Sequence, residues 1–298
     1  MKTNKSHELK GALYLLASAF LYSIMPVAIR FLGSQKLTPI SQVFWRYMFA
    51  FLTACIYFFV IKKTRISVEK KDIPLLLATT VIGYALTNLL FTYGITYTQV
   101  GNALFLFYSY TLLAPILAFF MLREKMNRFN IIALLVGLVS LILLFQPNSV
   151  PTWKLGGFLA ILSAIGQALY LIWRKKLHVH SAAFMMLANT FMGIVTLGVL
   201  SAIFDQHFYT SGAFAAMTAK TWVVTALFGI DNFLAWFAMT KGFEYFKAAS
   251  GSLILLSELV FGIFFAFLFF GEVPTLLTFI GGVMVLGSIT LVTLKGAS

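Results

Sequence analysis

The chain has 298 residues, of which 60% are hydrophobic and only 10% are charged, and its mean hydropathy is +0.93. Soluble proteins carry roughly 25% charged residues, so this composition excludes a soluble globular protein and indicates an integral membrane protein. A net charge of +13 would suit a nucleic-acid-binding protein only if the basic residues shared one water-exposed face. They are instead divided among short segments between long apolar runs, so we expect no nucleic-acid partner.

Taken in chain order, the apolar runs predict an all-α protein with ten transmembrane helices, because each run is close to the roughly 20 residues that cross a bilayer. The predicted spans are 11–33, 41–61, 73–91, 99–122, 129–146, 156–173, 182–204, 221–240, 248–270 and 275–294. The first span has no small-residue cleavage site behind it, so we expect a retained helix and not a signal peptide. The single cysteine, Cys55, lies in the second span and excludes an internal disulfide bond.

The basic residues are distributed unequally between the two sides of the predicted membrane domain. Alternate loops, starting with the amino terminus, contain 17 lysines and arginines on one side and three on the other, Lys36, Lys154 and Lys220. Because positive loops stay in the cytoplasm, we predict a multi-pass protein of the cytoplasmic (inner) membrane with both termini inside the cell.

The second half of the sequence resembles the first. Near the start of each half Gly11 and Ser18 recur as Gly156 and Ser163, at a shift of 145 residues. Further along, Gly94 and Glu124 recur as Gly242 and Glu272, at a shift of 148 residues. We therefore predict two repeats, residues 1–147 and 148–298, with five helices each.

An odd number of helices places the second repeat upside down relative to the first. Inverted repeats of this kind are typical of secondary transporters, whose binding site lies near the bilayer midplane between the two copies. The alternative is a duplicated membrane scaffold without transport activity, but such a scaffold gains little from antiparallel copies.

Two segments, TQVGNALFLFYSYTLLAPILAFFMLREKMN and FKAASGSLILLSELVFGIFFAFLFFGEVPT, resemble the ten-helix EamA-like branch of the drug/metabolite transporter superfamily. Each has a small-residue helix start, an apolar run and a terminal glutamate. The family pattern usually contains proline within the run, whereas Leu259 follows Glu258 here and Pro115 comes about four residues late. The resemblance implies transport of a small metabolite, commonly an amino acid or a related compound and most often outward.

Two carboxylates lie about ten residues into their spans, Asp231 in the eighth and Glu258 in the ninth. A rise of about 1.5 Å per residue puts both near the midplane, where ionisable groups are costly and usually functional. A medium of low dielectric constant favours the neutral acid, so either group could exchange a proton during a transport cycle. Our hypothesis is that Glu258, together with Asp231, binds a proton or a cationic group of the substrate; a structural hydrogen bond between helices is the alternative.

Arg46 lies only about five residues from the outer end of the second span. Its side chain could extend to water as an anchor, or it could meet a substrate carboxylate or one of the two acids.

Amides, phenols and an indole also fall at membrane depth, where they could orient a zwitterion by hydrogen bonds and hold an ammonium group over aromatic faces. The set comprises Tyr22, Ser23, Tyr84, Asn88, Tyr108, Tyr110, Gln167, Asn189, Asn232 and Trp236. Asn88, Gln167 and Trp236 are the preferred three. In a chain with 16% aromatic residues, many of the others must simply pack.

Other conspicuous residues have structural interpretations. Glu124 and Glu272 each precede a predicted helix, where a carboxylate stabilises the positive end of the helix dipole. Gly137, Gly282 and Gly287 would allow close helix packing or dimerisation, so a monomer and a homodimer both agree with the sequence.

Other functional classes fit less well. The four histidines fall outside the spans, which argues against an intramembrane enzyme with a buried base or metal site. No glycine-rich phosphate loop is present, so we expect neither ATP-driven transport nor a bound cofactor. An exporter of lipophilic cations and an uncoupled facilitator of the same fold remain as alternatives.

Overall fold

The computed structural model describes residues 5–63, 66, 68–98, 100–124, 126–145, 155–204, 217–271, 273 and 275–291. All regular secondary structure in these residues is helical. The α-helices are α1 (Lys5–Tyr22), α2 (Met25–Ser34), α3 (Pro39–Cys55), α4 (Ile73–Ala78), α5 (Thr87–Tyr97), α6 (Val100–Phe107), α7 (Tyr110–Leu122), α8 (Arg128–Phe145), α9 (Leu155–Lys176), α10 (Ala182–Phe204), α11 (Ala219–Gly242), α12 (Ala248–Ile254), α13 (Ser257–Phe270) and α14 (Leu276–Leu291). Wider π-helical turns continue α3 over Ile56–Ile61 and join α4 to α5 over Thr79–Leu86, and a short 3₁₀ turn, Lys70–Asp72, precedes α4.

These helices form the ten spans that the sequence predicts. Seven stretches of the described chain are long and apolar enough to cross a membrane: Leu9–Ser34, Pro39–Ile61, Lys70–Tyr97, Ala103–Leu122, Leu155–Lys176, Ala182–Phe204 and Ala219–Gly242. Three shorter apolar helices, Arg128–Leu144, Ser250–Phe265 and Leu276–Leu291, occupy the positions of the fifth, ninth and tenth spans. The third span is longer than predicted, because its helix continues from residue 91 to Tyr97.

The fourth and ninth spans are broken at corresponding positions. The fourth changes from α6 to α7 at Tyr108–Ser109, and the ninth changes from α12 to α13 at Leu255–Leu256. At each break a serine hydroxyl donates to the carbonyl three residues earlier: Ser109 to Leu106 at 2.6 Å, and Ser257 to Ile254 at 2.8 Å. A side chain that satisfies a freed carbonyl in this way offers the backbone an alternative to the helix. The ninth span, residues 248–270, is therefore interrupted although it contains no proline.

The two halves pack reciprocally. α1 lies against α11 as α9 lies against α5, and α13 lies against α1 as α7 lies against α9. A Cβ atom built at Gly94 would lie 3.3 Å from the Gly156 carbonyl oxygen, and one built at Gly242 would lie 3.3 Å from the Gly11 carbonyl oxygen. Contacts that return when the partners are exchanged are the mark of a two-fold relation. With five spans in each half, the two repeats are inverted relative to one another.

Two further contacts each join a helix to its counterpart in the other repeat. α3 packs against its counterpart α10, and α8 packs against its counterpart α14. The main hydrophobic core draws buried residues from α1, α5, α9 and α11 as well as from these two pairs, and so from both repeats. Any site in that core is built by both repeats.

Candidate functional site

Glu258 follows the break in the ninth span directly and lies in the first turn of α13. Its side chain is only 8% exposed, and it is hydrogen-bonded with the Tyr108 hydroxyl. The positive end of the α13 dipole also favours a carboxylate at this position. The break thus gives a buried acid two sources of stabilisation while it faces the core.

A narrow cavity lies in front of Glu258, between the two repeats. It is lined by Tyr22, Met25, Thr87, Asn88, Phe91, Phe107, Tyr110, Gln167, Trp236, Met239, Leu255 and Glu258. Six of these were predicted as binding residues: Tyr22, Asn88, Tyr110, Gln167, Trp236 and Glu258.

Ten of the twelve lining residues form repeat-related pairs. Tyr22 and Gln167 differ by the shift of 145 residues found near the start of the repeats. Four further pairs differ by the shift of 148 residues: Asn88 with Trp236, Phe91 with Met239, Phe107 with Leu255, and Tyr110 with Glu258. The cavity therefore lies on the pseudo-two-fold axis. Glu258 occupies the position in the second repeat that Tyr110 occupies in the first.

The free space inside the cavity is small. About 20 Å³ is open to the centre of a water molecule, which is enough for about one water. A metabolite would fit only after the surrounding helices separate.

The two amides of the cavity wall are held by different contacts. Asn88 donates from Nδ2 to the Tyr84 carbonyl oxygen at 2.9 Å, and its Oδ1 accepts from Arg46 Nη2 at 3.3 Å. Gln167 Nε2 lies 3.7 Å from the sulfur of Met239, which is a weak acceptor. Asn88 is therefore fixed by strong partners, whereas Gln167 is free to exchange its sulfur contact for a better acceptor.

Aromatic rings surround Trp236. Tyr84 and Tyr170 each meet it edge to face with ring centroids 4.5 Å apart, and Tyr22 does so at 5.9 Å. The Tyr84 hydroxyl, behind the cavity wall, donates to Asn232 Oδ1 at 2.7 Å. These packed contacts hold the indole in one orientation beside the cavity.

The hydroxyl of Tyr22 and the indole N–H of Trp236 differ from the other polar groups of the wall. Both side chains are more than nine-tenths buried, at 8% and 1% exposed. Within the part of the chain that the structure describes, neither Tyr22 Oη nor Trp236 Nε1 has a hydrogen-bond partner.

Arg46 lies behind Asn88 and is completely buried, so it does not extend to water as an anchor. Its guanidinium group is 4.7 Å from the centre of the Phe228 ring and 5.4 Å from that of Tyr47. Its hydrogen bond to Asn88 makes it a positioning residue for the cavity wall in this conformation.

Asp231 is half-buried and is not among the described residues that line the cavity. The charge of Arg46 acts on its carboxylate. The structure thus brings Glu258 to the cavity and leaves Asp231 beside the Arg46 region, although the two acids have similar depths.

The remaining predicted polar residues lie outside the cavity wall. Ser23 donates to the Phe20 carbonyl oxygen at 2.5 Å, and Asn189 donates to the Tyr170 hydroxyl at 3.0 Å. Tyr108 is hydrogen-bonded with Glu258, which lines the cavity. Sequence reasoning missed the apolar members of the wall, among them Phe91, Met239 and Leu255, because an apolar side chain at membrane depth gives no signal of its own.

Polar contacts also join the repeats near one end of the helices. Glu124 Oε1 accepts from the backbone N–H of Ala248 at 3.4 Å, so it does stabilise a helix N-terminus, but that of α12 in the other repeat. His180, in a loop, is 8% exposed and its Nε2 lies 2.9 Å from Asp72 Oδ2. Glu272, for which the sequence predicts a similar role, lies outside the described residues, as does Pro274 beside it.

Comparison with known proteins gives consistent matches over nearly the whole chain. A family model described as the EamA-like transporter family matches residues 9–146 and again residues 154–294. The pseudopaline exporter CntI of Pseudomonas aeruginosa PAO1 is 21% identical over 279 residues, which cover 92% of this chain and 93% of the exporter. The S-adenosylmethionine uptake transporter of Rickettsia felis is 24% identical over 278 residues, which cover 93% and 90%.

A protein of known crystal structure has the same fold. It superposes with a TM-score of 0.76 at 14% sequence identity, over 97% of this chain and 99% of the other. At that identity the likeness concerns the fold alone.

Proposed function

Because the chain belongs to the EamA-like transporter family of the drug/metabolite transporter superfamily, we propose that it exports a small polar metabolite, an amino acid or a related compound, across the cytoplasmic membrane. The family is one of transporters and not of enzymes. The proposed mechanism is alternating access, in which residues 1–147 and 148–298 move against each other and open the shared cavity to either side. Both termini are assigned to the cytoplasm from the distribution of basic residues.

The observation that carries this proposal is the position of Glu258. Among the described residues that line the cavity, Glu258 is the one with a charged side chain. The wall is built from symmetry-related positions of both repeats. Inverted repeats can exchange conformations, so a group on their shared axis is reached from each side in turn. Glu258 binds either a proton or a cationic group of the substrate, and release of one accompanies binding of the other.

The relatives and the family resemblance bear on the direction of transport and on the substrate. The two relatives described above are named for export of pseudopaline and for uptake of S-adenosylmethionine, so similar chains move different compounds in opposite directions. The family resemblance in the fourth and ninth spans favours export of an amino-acid-like compound.

A multidrug exporter of lipophilic cations is the second candidate. The aromatic rings around Trp236 and the acid at Glu258 are the groups that such a function requires. An uncoupled facilitator would use the same cavity without a proton at Glu258.

Transport by the purified protein in liposomes tests these functions. Labelled amino acids, nucleosides, polyamines and cationic dyes are offered with and without an imposed proton gradient. We expect gradient-dependent movement of an amino-acid-like compound, and a loss of about tenfold or more in Glu258→Gln, equivalent to about 1.4 kcal/mol of interaction. The control is Glu69→Gln, which removes an exposed acid outside the cavity whose ion-pair partner, Lys71, is also exposed.

Each result has a distinct meaning. Full activity of Glu258→Gln contradicts the proposed role of this acid, and full activity of Asp231→Asn as well removes both acids from the mechanism. Flux that ignores the gradient identifies a facilitator, whereas movement of the dyes alone identifies a multidrug exporter.

A further inference from the structure

The two unpartnered donors of the cavity wall are unusual for a protein interior. Buried polar groups nearly always have a hydrogen-bond partner, and an exception inside a cavity is a reason to look for a ligand. Tyr22 comes from the first repeat and Trp236 from the second, and their rings are in edge-to-face contact at 5.9 Å. One small group could therefore accept from both.

Several of the neighbouring acceptors already accept a hydrogen bond. The carbonyl oxygen of Tyr84 accepts from Asn88, and Oδ1 of Asn88 accepts from Arg46. The Glu258 carboxylate is hydrogen-bonded with Tyr108. The described wall thus leaves the Tyr22 and Trp236 donors without a hydrogen-bond partner.

Glu258 is nevertheless close to these donors. It lines the same cavity, and its charge acts on the Tyr22 hydroxyl. The wall therefore presents a carboxylate and a pair of neutral hydrogen-bond donors to the same small space. A ligand that satisfies both needs a cationic group and an oxygen acceptor on neighbouring atoms.

We propose that Tyr22 Oη and Trp236 Nε1 form an acceptor subsite that binds a carboxylate or carbonyl oxygen of the substrate while its ammonium group faces Glu258. The inference rests on the transport function proposed above and assigns the head group that the cavity recognises. Arg46 takes no direct part, because Asn88 separates it from the cavity. α-Amino acids and their esters or amides have this head group; amines and quaternary cations without an oxygen beside the nitrogen do not.

This proposal separates the two candidate functions. A lipophilic cation would satisfy Glu258 and the aromatic rings but would leave both donors unpaired, at a cost in affinity. An amino-acid head group pairs all three groups.

Binding to the purified full-length protein, followed by calorimetry, tests the subsite. The standard amino acids are screened first, and the tightest is compared with the amine that lacks its carboxylate and with the acid that lacks its ammonium group. We expect the amino acid to bind about five- to tenfold more tightly than the amine in the wild type, because the amine leaves buried donors unpaired.

The variants Tyr22→Phe and Trp236→Phe remove one donor each and keep an aromatic ring. In both, the difference between amino acid and amine should shrink, while the difference between amino acid and deaminated acid should shrink only in Glu258→Gln. Such coupling between one ligand group and one side chain is what a direct contact produces. Tyr97→Phe, which alters a tyrosine that is 51% exposed, is the matched control and should change neither difference.

Three results would overturn the subsite. These are a wild-type preference for the amine, an equal loss of affinity for all three ligands in Tyr22→Phe and Trp236→Phe, and binding by none of the amino acids. The transport proposal fails separately, if a compound that binds in the expected way is not moved across liposomes by the wild-type protein.

Discussion

One of the hydrogen bonds that join the two repeats beside the cavity is made by Tyr84. The Tyr84 hydroxyl donates to Asn232 Oδ1 at 2.7 Å, and these two residues are themselves repeat-related, at the shift of 148 residues. Both side chains are buried, and Asn232 Nδ2 has no partner among the described residues. Within the described chain, the bond from Tyr84 is therefore the hydrogen bond that satisfies the Asn232 side chain.

Tyr84→Phe removes the donor and leaves the Asn232 side chain unsatisfied. We expect the free energy of unfolding in detergent to fall by about 1 kcal/mol, since interhelical hydrogen bonds in membrane proteins contribute roughly 0.6 and at most about 1.7 kcal/mol. Adding Asn232→Leu should restore part of that loss, because an apolar pair has no unmet hydrogen bond. Thermal and denaturant unfolding of the single and double variants measures the coupling, and Tyr97→Phe is the neutral control. Strictly additive losses would show that the bond contributes nothing.

The position of polar residues deep within the predicted spans identified six of the twelve residues of the cavity wall. Polar side chains are costly within a bilayer, and this reasoning selected Glu258, Asn88 and Gln167. It did not separate Glu258 from Asp231, because depth gives no information about which face of a helix a residue occupies. Met239 and Leu255 are apolar and gave no signal of their own.

The glycines show how closely the helices approach. A Cβ atom at Gly229 in α11 would lie 2.7 Å from the Arg46 carbonyl oxygen of α3 and 2.4 Å from Phe49 Cβ. The α3–α11 contact is thus made partly by backbone, which cannot move aside as a side chain can. Gly287 in α14 is the opposite case, because a Cβ there would meet nothing within 4 Å.

Gly229→Ala should therefore force α3 and α11 apart. We expect a loss of about 1 to 3 kcal/mol, the usual cost of overpacking a filled interior. Gly287→Ala should be neutral or slightly stabilising, since alanine favours a helix by up to about 1 kcal/mol over glycine. Thermal unfolding of the two variants in the same detergent compares them directly. Equal stability would contradict the close approach at Gly229.

At the level of elements, the sequence predicts the spans well and their irregularities poorly. Long apolar runs are set by bilayer thickness, so ten spans could be counted from residue type. The breaks depend on local hydrogen bonds such as that of Ser257 to the Ile254 carbonyl oxygen. Serine is too common in helices to indicate a break by itself. Of the three glycines proposed for packing, Gly137 is closely packed, because a Cβ built there would lie 3.0 Å from Leu256 Cδ1, while Gly282 and Gly287 have open space where a Cβ would stand. Gly281 makes the close contact to α8 instead.

The inverted arrangement of the repeats accounts for a cavity with one charged residue in its described wall. A two-fold axis brings equivalent positions together, so Tyr110 of one repeat faces the space that Glu258 of the other also faces. Sequence divergence at one member of the pair then suffices to create a site, while the scaffold remains symmetric. Which side of the molecule faces the cytoplasm is a property of the whole chain, and only the distribution of basic residues bears on it.

Site-directed labelling fixes that orientation. Cys55 is the single cysteine, so Cys55→Ala gives a background in which one new cysteine reports its own position. In intact cells we expect a membrane-impermeant maleimide to label Lys36→Cys and Lys220→Cys but not Lys71→Cys, because lysine-rich loops stay in the cytoplasm. Lys71 is 75% exposed at its side chain, so it should react fully once the membrane is permeabilised, which excludes burial as the cause of protection. Labelling of Lys71→Cys and Lys220→Cys from the same side would contradict the inverted topology itself, whereas labelling of Lys71→Cys alone would reverse the orientation and leave the cavity, its axis and Glu258 in place.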